Sequence, residues 1–346
     1  MSSIEYNFWQ KLLHKIAIGN YMISEFSLDL EIGRTRVDLN MVEKNRHVFI
    51  SGLARAGTTI LLRRLYNTGA FTSLTYRDMP FVLMPLFWKL LSGKSKKTME
   101  KIERAHGDGL DVDYDSPEAF EEVFWKTVGR DEYIKKDRLL PHNPDEKTLK
   151  KFKHYLGLIL ESRKYASGKY LSKNNNNILR MKALCEALPE SNFLILFRSP
   201  LQQAWSLQQQ HQRFLAPADP FTTKYMNWLG HYEFGAGHKP FDFSRAENTF
   251  DPATLPYWLF LWNEVYSWLI AQTPQRVIFI SYDELCNDRG QTWNILTELA
   301  GVEDIENDLE PFRLIEHDIQ ESIPKNLLKA SIETHQLLLD RHKATF

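Results

Sequence analysis

The sequence has few of the features that mark several large classes of protein. Only two cysteines occur among its 346 residues, Cys185 and Cys286, and they are too few and too far apart to indicate a disulfide framework or a zinc site. The 43 Lys and Arg residues nearly balance the 44 Asp and Glu residues, for a net charge of −1, so no global field attracts nucleic acid or an anionic membrane. We therefore expect a cytoplasmic protein whose recognition of anions is local.

Long hydrophobic runs are also missing. The most apolar stretch, PFVLMPLFWKLL over 80–91, is interrupted by Pro85 and Lys89 and is shorter than the roughly 20 residues that a membrane-spanning helix needs. The N-terminal segment has no basic region typical of a targeting signal, and its apolar residues recur at helical spacing. We expect no membrane span, and an amphipathic covering region over 1–46.

What the sequence does contain favours one large α/β domain. Hydrophobic residues make up 43% and aromatic residues 13% of the chain, which is enough for a sizeable core. Three apolar strands, each followed by a helix, begin near residues 47, 193 and 276. This order predicts a parallel sheet in a single domain over 1–346, with a helical insertion over 80–170 and a helical tail over 302–346.

The most informative segment is SGLARAGTTILL over 51–62. It follows the apolar run HVFI and precedes an apolar helix, so it predicts a strand-to-helix turn where free backbone N–H groups and the helix dipole bind an anion. Gly52 and Gly57 have the spacing of a Walker A loop, but Thr58 stands where that loop has its lysine. The missing lysine argues against an ATP or GTP hydrolase, whereas Arg55 supplies a cation inside the loop.

A second segment, FLILFRSPLQQAWS over 193–206, has the same organisation. An apolar strand ends in Arg198, and Pro200 begins a helix. Ser206 lies about two helical turns into that helix. One guanidinium and one hydroxyl could therefore reach the same phosphate from different sides.

Together, the two segments resemble the nucleotide-binding motifs of sulfotransferases. The first is similar to their loop for the 5′-phosphosulfate group, and R-x-P-x-x-x-x-x-S is similar to their signature for the 3′-phosphate. The resemblance implies a P-loop-like α/β fold of three layers, with a central parallel sheet, helices on both faces and a helical insertion that forms the acceptor site. It also implies 3′-phosphoadenosine 5′-phosphosulfate as the donor, held without a metal by Arg55, Ala56, Gly57, Thr58, Thr59, Arg198 and Ser206.

A third segment, RVIFISYDELCND over 276–288, agrees with the first two. It resembles the sulfotransferase stretch that runs from a strand into S/T-Y-E-D-L and then a helix. The resemblance implies a place for Tyr282 at the donor site. The alternatives are a core tyrosine at Tyr282 and a helix N-cap at Asp283.

Sulfuryl transfer requires a base for the acceptor hydroxyl or amine, and the sequence offers several candidates. Asp78 lies close to the position where tyrosylprotein-type sulfotransferases carry a catalytic glutamate. His106 resembles the histidine in a K-x-H segment of cytosolic sulfotransferases, with Arg104 in place of the lysine. An ion pair between Asp78 and Arg77 and a structural histidine are the alternative interpretations.

Two glutamates and two cations complete the candidate residues. Glu118 and Glu122 are four apart, so they are expected on one helical face, either as the base, as substrate ligands or as a solvated acidic surface. Arg55 is expected to stabilise charge on the leaving group. Lys173, in YLSKNNNN, resembles the lysine of a K-x-P stretch that touches the transferring group, although Asn175 replaces the proline. A surface lysine in an asparagine-rich loop is the alternative.

The resemblance extends from about residue 47 to Gly301. The late R-K-G-x-x-G-D-W-K stretch of cytosolic sulfotransferases has no counterpart after Gly301, so the sequence is nearer to the bacterial, carbohydrate and tyrosylprotein branches than to the small-phenol branch. The expected acceptor is a hydroxyl or amine of a carbohydrate, lipid or other small molecule, and nucleic acid is not an expected partner. The alternative is a P-loop-type phosphotransferase or a catalytically silent nucleotide-binding protein, and the oligomeric state is open.

Overall fold

The structure is a computed structural model that describes residues 8–92, 102–103, 111–164, 168–216, 220–244, 246–288, 290–302 and 312–346. Its strands, numbered in chain order, are β1 (Val48–Ser51), β2 (Ile102–Glu103), β3 (Asp111–Val112), β4 (Leu171–Lys173), β5 (Asn192–Phe197) and β6 (Ile278–Ser281). Its α-helices are α1 (Phe8–Ala17), α2 (Tyr21–Arg34), α3 (Leu39–Lys44), α4 (Thr58–Asn67), α5 (Pro85–Ser92), α6 (Glu122–Tyr133), α7 (Glu146–Ser162), α8 (Met181–Ala187), α9 (Pro200–Leu215), α10 (Pro220–Trp228), α11 (Leu255–Gln272), α12 (Tyr282–Asn287), α13 (Gln291–Leu299) and α14 (Lys325–Lys343).

Four short strands form the central sheet, in the order β4-β1-β5-β6, and every neighbouring pair is parallel. Val48 in β1 lies opposite Leu171 on one side and Asn192 on the other. The strands before the two anion-binding segments, β1 and β5, are therefore adjacent. Because all four strands run the same way, their carboxyl ends meet at one edge, where open α/β sheets bind ligands. The prediction of a central parallel sheet is confirmed.

Both faces of the sheet are covered, which explains why its strands are apolar without alternation. Val48 and Ile50 pack with Leu61 of α4 in one buried cluster, whereas Phe49 points into a second, larger cluster. Phe49 stacks on Phe193 of β5, with ring centroids 5.1 Å apart. The three predicted layers of helix, sheet and helix are thus present.

The larger cluster fixes the helix that carries Ser206. α11 packs against both α9 and α14, and its sequence LPYWLFLWNEVYSWLIAQ is apolar around most of its circumference, as expected for a buried helix. Trp258 and Trp262 on α11 are buried. The indole nitrogen of Trp262 donates to Gln203 Oε1 at 3.0 Å, so its polar atom is satisfied. α9 is held against α11 by these contacts.

The predicted insertion over 80–170 contains α5, α6 and α7, together with the antiparallel pair β2 and β3. α7 packs against α2, α3 and α5. The Glu31 carboxylate on α2 accepts hydrogen bonds from the backbone N–H groups of Leu86 and Phe87 at 3.4 and 2.7 Å. The N-terminal helices therefore pack on the insertion. In the tail, α14 packs against β6 and α11.

Candidate active site

An open cleft of about 980 Å³ lies at the carboxyl edge of the sheet. Residues from both anion-binding segments line it, together with the end of β4, the start of α12 and two later loops. Among the described residues, its lining carries four cations and one carboxylate: Arg55, Lys173, Arg198, Arg313 and Glu233. We call it the cationic cleft. In a chain with a net charge of −1, this local excess of positive charge favours a ligand with several negative charges.

Two glycines shape the turn after β1. Gly52 and Gly57 have φ values of 137° and 86°, a region that side chains disfavour. A Cβ atom on Gly52 would lie 2.4 Å from the carbonyl oxygen of Leu196, and one on Gly57 would lie 2.2 Å from the Tyr282 ring. Both positions therefore require glycine for conformation and for close approach.

The rest of the turn leads directly into α4. Arg55 adopts a left-handed φ of 68°, and Ala56 is buried. Thr58 and Thr59 are the first residues of the helix. Their backbone N–H groups lie at the positive end of the helix dipole, and both residues line the cationic cleft.

Arg55 joins the two predicted segments directly. Its Nε atom donates a hydrogen bond to Ser206 Oγ at 3.0 Å. Ser206 is half-buried on α9, and the two residues are 151 positions apart in the chain. The structure therefore brings the cation of the first segment and the hydroxyl of the second segment together.

Arg198 follows β5 and lines the same cleft. Its Nη2 atom donates to the Ile315 carbonyl at 3.1 Å, and its Nε atom lies 3.7 Å from Asp283 Oδ1. The buried Nε makes no hydrogen bond to any residue in the described ranges, which is unfavourable unless a ligand oxygen accepts one. Asp283 also accepts a hydrogen bond from the Ser199 N–H at 2.7 Å, so one carboxylate orients both the guanidinium and the turn.

Tyr282 combines burial with a place at the cleft. It is the first residue of α12, and the N-cap is Ser281, whose hydroxyl accepts from the Glu284 N–H at 3.2 Å. The alternative N-cap at Asp283 was wrong. The Tyr282 hydroxyl donates to the Arg313 carbonyl at 3.2 Å. Burial raises the pKa of that hydroxyl, which keeps it protonated as a hydrogen-bond donor.

An irregular segment over 312–324 lies beside the second anion-binding segment, and we call it the strap. Gln202 on α9 exchanges two hydrogen bonds with the His317 backbone, both at 2.9 Å. The His317 ring stacks on Trp205, with centroids 3.9 Å apart. The strap places Arg313 in the lining of the cleft. Sequence reasoning missed this cation because an arginine in an irregular tail belongs to no motif.

Lys173 ends β4 and lines the cleft. It is 8% exposed, which excludes the alternative of a surface lysine. The asparagines that follow it, 174–177, are also buried. Asn174 Oδ1 accepts from the Asn176 N–H at 3.0 Å, and Asn177 Nδ2 donates to Glu121 Oε1 at 2.8 Å. The asparagine run is therefore a hydrogen-bonded structure that supports the end of β4.

Asp78 is buried and is not among the residues that line the cleft. Its Oδ2 atom accepts from the Thr75 N–H at 2.8 Å, and its two oxygens accept from Arg163 Nη2 at 2.9 and 2.7 Å. The alternative pair of Asp78 with Arg77 was wrong, because Arg77 pairs with Asp115.

The two glutamates occupy different structures. α6 begins at Glu122, so Glu118 precedes the helix, and the expectation that both lie on one helical face was wrong. Glu118 Oε1 accepts from the Ala119 N–H at 2.9 Å. Glu122 is fully buried against Arg180, with Oε2 accepting from Arg180 Nη1 at 2.8 Å. His106 lies outside the described residues.

Sequence reasoning also missed two titratable residues in the cleft, His231 and Glu233. His231 Nδ1 lies 3.6 Å from Glu233 Oε2, and Glu233 Oε1 accepts from Asn175 Nδ2 at 3.1 Å. Burial raises the pKa of the Glu233 carboxyl, but the hydrogen bond and charge of His231 and the charge of Lys173 outweigh it and lower the pKa below its usual value. Both residues come from a loop after α10 and belong to no recognised motif, so no signal in the sequence pointed to them.

The described residues were also compared with the requirements for a membrane-spanning helix and for a metal site. None of the helices in them is long and apolar enough to cross a membrane. Across the same ranges, no group of three or more His, Cys, Asp and Glu residues is arranged to hold a metal ion. Cys185 is buried and Cys286 half-buried, both as free thiols.

Comparisons with known proteins place this site in context. A sulfotransferase from Mycobacterium avium superposes with a TM-score of 0.50 at 14% identity, over 100% of this chain and 88% of that one. A sulfotransferase from Mycobacterium tuberculosis gives a TM-score of 0.45 at 11% identity, over 94% of this chain and 84% of that one. A sulfotransferase from Alicyclobacillus acidocaldarius gives a TM-score of 0.39 at 14% identity, over 87% of this chain and 95% of that one. A search of curated protein sequences finds no match.

At such low identity, the structural likeness supports the fold, and the family is shown by the sequence itself. The model of the sulfotransferase family matches residues 47–306. This range contains both anion-binding segments and the third strand with Tyr282. The chain belongs to the sulfotransferase family.

Proposed function

We propose that this sulfotransferase takes a sulfuryl group from 3′-phosphoadenosine 5′-phosphosulfate and transfers it to a hydroxyl or amine of a small molecule or glycan. One observation carries the proposal. Arg55 and Arg198 come from distant segments, yet they line one cleft, and Arg55 bonds to Ser206 of the second segment. Two anion-binding groups at separate places in one cleft suit a nucleotide that bears anionic groups on both its 5′ and its 3′ oxygens.

The first segment would hold the 5′-phosphosulfate end of the donor. Ala56 and Gly57 directly precede α4, and Thr58 and Thr59 begin it, so we propose that their backbone N–H groups bind the anion at the positive end of the helix dipole. Arg55 adds a forked cation beside them. No metal is required in this arrangement, since these groups supply the positive charge.

The second segment would hold the 3′-phosphate. The buried Nε of Arg198, which makes no hydrogen bond to a described residue, is suited to a phosphate oxygen, and the Ser206 hydroxyl is a second donor. Tyr282 and Arg313 line the same part of the cleft from α12 and the strap. We assign Tyr282 to the donor site, and we add Arg313, which supplies a further positive charge.

Transfer itself requires that negative charge be stabilised as the bond between sulfur and the leaving oxygen breaks. Arg55 and Lys173 both line the cleft, and we propose that both act on the transferring group. Of the predicted bases, Asp78 and Glu122 have carboxylates engaged by Arg163 and Arg180. Neither residue lines the cleft, and we propose that the base is a group that does.

We propose that the acceptor approaches beside the insertion over 80–170. A narrow apolar crevice adjoins the cationic cleft, sharing Ala54 and Glu233 with it. Its walls include Tyr232, Trp258 and, from the insertion, Leu139. We propose that these apolar and aromatic walls contact the apolar part of an acceptor whose reacting group lies in the cationic cleft.

Calorimetry tests the donor assignment. The native chain is expected to bind adenosine 3′,5′-bisphosphate in the presence of a chelator, because the proposed site uses no metal. Magnesium ATP is the comparison ligand. Tight magnesium-dependent binding of ATP together with no binding of the bisphosphate would favour a phosphotransferase and overturn the proposal.

Replacing Arg198 with alanine tests the 3′-phosphate contact. A charged hydrogen bond of this kind contributes about 1.5–3 kcal/mol, so affinity for the bisphosphate should fall roughly 10- to 150-fold. Affinity for adenosine 5′-phosphosulfate, which has no 3′-phosphate, should change little. Arg130→Ala is the matched control, because Arg130 forms an ion pair with Asp131 on α6 and does not line the cleft. An unchanged preference for the bisphosphate in Arg198→Ala would contradict the assignment.

A further inference from the structure

We infer that Glu233 is the acceptor-binding residue of the cationic cleft, and that it selects an acceptor with no negative charge beside its reacting hydroxyl or amine. The inference deepens the proposed function and rests on it, because it concerns the acceptor of that reaction. Among the described residues, Glu233 supplies the one carboxylate in the lining of the cleft. It also lines the narrow apolar crevice, so it lies where the two spaces meet.

Donor binding does not account for a carboxylate at this place. The donor is negatively charged at its 5′-phosphosulfate and at its 3′-phosphate. The described lining supplies four cations for these groups: Arg55, Lys173, Arg198 and Arg313. A carboxylate in the same lining repels the donor and so reduces its affinity. The acceptor, in contrast, brings a hydroxyl or an amine, whose hydrogen a carboxylate can accept.

The loop that carries Glu233 is fixed on both sides of the residue. Gly230 has a φ of 77°, and a Cβ atom there would lie 2.6 Å from Glu122 Cγ. Gly235 has a φ of 75°, and its N–H donates to His211 Nδ1 at 3.2 Å. The backbone of Glu233 is therefore held in place before a substrate binds, which reduces the entropy that binding costs.

The carboxylate has the capacity for a further hydrogen-bond donor. Asn175 Nδ2 donates to Glu233 Oε1 at 3.1 Å, and His231 Nδ1 lies 3.6 Å from Oε2. The backbone N–H of Glu233 is a third contact. An ionised carboxylate has about four acceptor positions, and the Glu233 side chain is 17% exposed. The group is therefore anchored but can still accept the hydrogen of a molecule in the cleft.

The charge of Glu233 sets the selectivity. Burial raises the pKa of its carboxyl, but the hydrogen bond and charge of His231 and the charge of Lys173 lower the pKa below its usual value. At neutral pH the group is therefore a carboxylate with a full negative charge. It repels an anionic group on an acceptor at this position, whereas it binds a hydroxyl or an amine.

The crevice gives the acceptor an apolar contact next to the carboxylate. Tyr232 and Trp258 are among its walls and are buried. The Tyr232 hydroxyl donates to the Asn227 carbonyl at 3.4 Å. The Trp258 indole nitrogen donates to the Pro252 carbonyl at 2.8 Å. Because the polar atoms of both rings are engaged elsewhere, these walls suit an acceptor that is apolar next to its hydroxyl or amine.

The test compares Glu233→Gln and Glu233→Asp with the native chain. Glutamine keeps an oxygen for the Asn175 amide but removes the charge, whereas aspartate keeps the charge on a shorter side chain. Glu132→Gln is the matched control. Glu132 also lies beside a histidine, with Oε2 3.0 Å from His142 Nε2, but it lines neither the cleft nor the crevice. Urea unfolding shows whether each variant is folded.

Calorimetry with adenosine 3′,5′-bisphosphate measures the effect of the charge on donor binding. Glu233→Gln is expected to bind the bisphosphate roughly 5- to 20-fold more tightly than the native chain, because a repelling charge is removed. Glu233→Asp and Glu132→Gln should stay within about twofold of the native affinity. An affinity of Glu233→Gln that is also within about twofold of the native value would show that the carboxylate does not face the ligand, and this overturns the inference.

Transfer is measured with sulfur-labelled donor and pairs of acceptors that differ by a carboxylate beside the reacting group: benzyl alcohol with mandelate, salicylamide with salicylate, and pentylamine with norleucine. For the native chain and Glu132→Gln, kcat/KM should be at least about 30-fold higher for the member without the carboxylate. In Glu233→Gln this preference should fall by at least about tenfold, and KM for the preferred member should rise about tenfold. Glu233→Asp should retain the preference.

The outcomes separate the inference from the function on which it rests. A native chain that does not bind the bisphosphate contradicts the proposed function. A native chain that binds it, but sulfates no member without the carboxylate or uses the carboxylate members equally well, overturns the inference alone. A preference that survives in Glu233→Gln also overturns it, because the charge of Glu233 is then not the cause.

Discussion

Gly57 is the residue at which the donor loop and the third strand meet. Its φ of 86° places it in the left-handed region, and the Tyr282 ring occupies the space where a side chain would be. We expect Gly57→Ala to cost about 1–2 kcal/mol for the backbone conformation and about 1–3 kcal/mol more for displacing the ring. Because Tyr282 lines the cleft, affinity for adenosine 3′,5′-bisphosphate should also fall at least about tenfold.

Gly69 provides a matched control at the other end of the same helix. It has a φ of 74°, but no atom lies within 4 Å of the position of a Cβ. Gly69→Ala should therefore show the conformational cost alone and leave bisphosphate affinity unchanged. Urea unfolding and calorimetry on both variants separate the two effects. Equal losses of stability in Gly57→Ala and Gly69→Ala would show that the contact with Tyr282 is not important.

At the scale of single residues, the sequence predicts the site residues whose motif lies within one short segment of the chain. Arg55 and Arg198 each lie in the short turn between an apolar strand and a helix, so short segments were enough to predict that each faces the ligand edge. His231 and Arg313 reach the same cleft from irregular loops. Their positions depend on tertiary contacts, such as that of Gly230 with Glu122, which no spacing rule contains.

The elements that support β4 are joined by a buried ion pair. Glu122, at the start of α6, accepts from Arg180 Nη1 at 2.8 Å and from Asn174 Nδ2 at 2.8 Å, and it also accepts from the Tyr133 hydroxyl. Both members of the pair are almost completely buried. We expect Glu122→Gln to destabilise the fold by about 3–5 kcal/mol, because it leaves the Arg180 charge buried without its counter-ion. Urea unfolding measures this loss.

An exposed ion pair in the same helix is the comparison. Arg130 and Asp131 are 28% and 85% exposed, so Asp131→Asn should change stability by less than about 1 kcal/mol. A Glu122→Gln variant that unfolds at the native urea concentration but loses transfer activity would contradict the structural role. That outcome would restore Glu122 as a candidate in the chemistry.

The start of α6 shows why such elements were hard to predict. The spacing of Glu118 and Glu122 fits one helical face, but Glu118 instead lies in the irregular chain before the helix, where its side chain accepts from the next backbone N–H. The asparagine run has the composition of a solvated loop, yet it is buried because Glu121, Glu122 and Glu233 satisfy its amides. In both cases, long-range hydrogen bonds decide a structure that local propensity leaves open.

At the scale of the whole molecule, the sheet was the most predictable feature. Strands buried on both faces are apolar throughout, and β1, β5 and β6 were recognised for that reason. β4 is only three residues long, Leu171–Lys173, and its last residue and the following turn are polar. Its place at the edge beside β1 follows from pairing, which the composition of a short segment does not reveal.

Three buried histidines with lowered pKa values are expected to make the stability of the fold depend on pH. Burial lowers the pKa of His47 to about 4, although its hydrogen bond to the Val42 carbonyl opposes this. Burial and the charge of Arg180 lower that of His142 to about 3. His238, at about 4, behaves in the same way. In the unfolded chain these rings titrate near 6.5, so below that pH the unfolded state binds more protons than the folded state.

Stability should therefore fall as the pH is lowered from about 6.5 towards 4, and the loss should stop below the folded pKa values. At about pH 5, each ring contributes a loss of roughly 2 kcal/mol relative to about pH 7.5, and the three together approach the whole stability of a typical domain. The raised pKa of the buried Glu31 carboxyl acts in the opposite sense. Urea unfolding at the two pH values measures the difference. In His47→Gln, which retains a donor and an acceptor for Val42 and Tyr170 but cannot titrate, the difference should shrink by about 2 kcal/mol. An equal difference in this variant would show that His47 is not part of the effect.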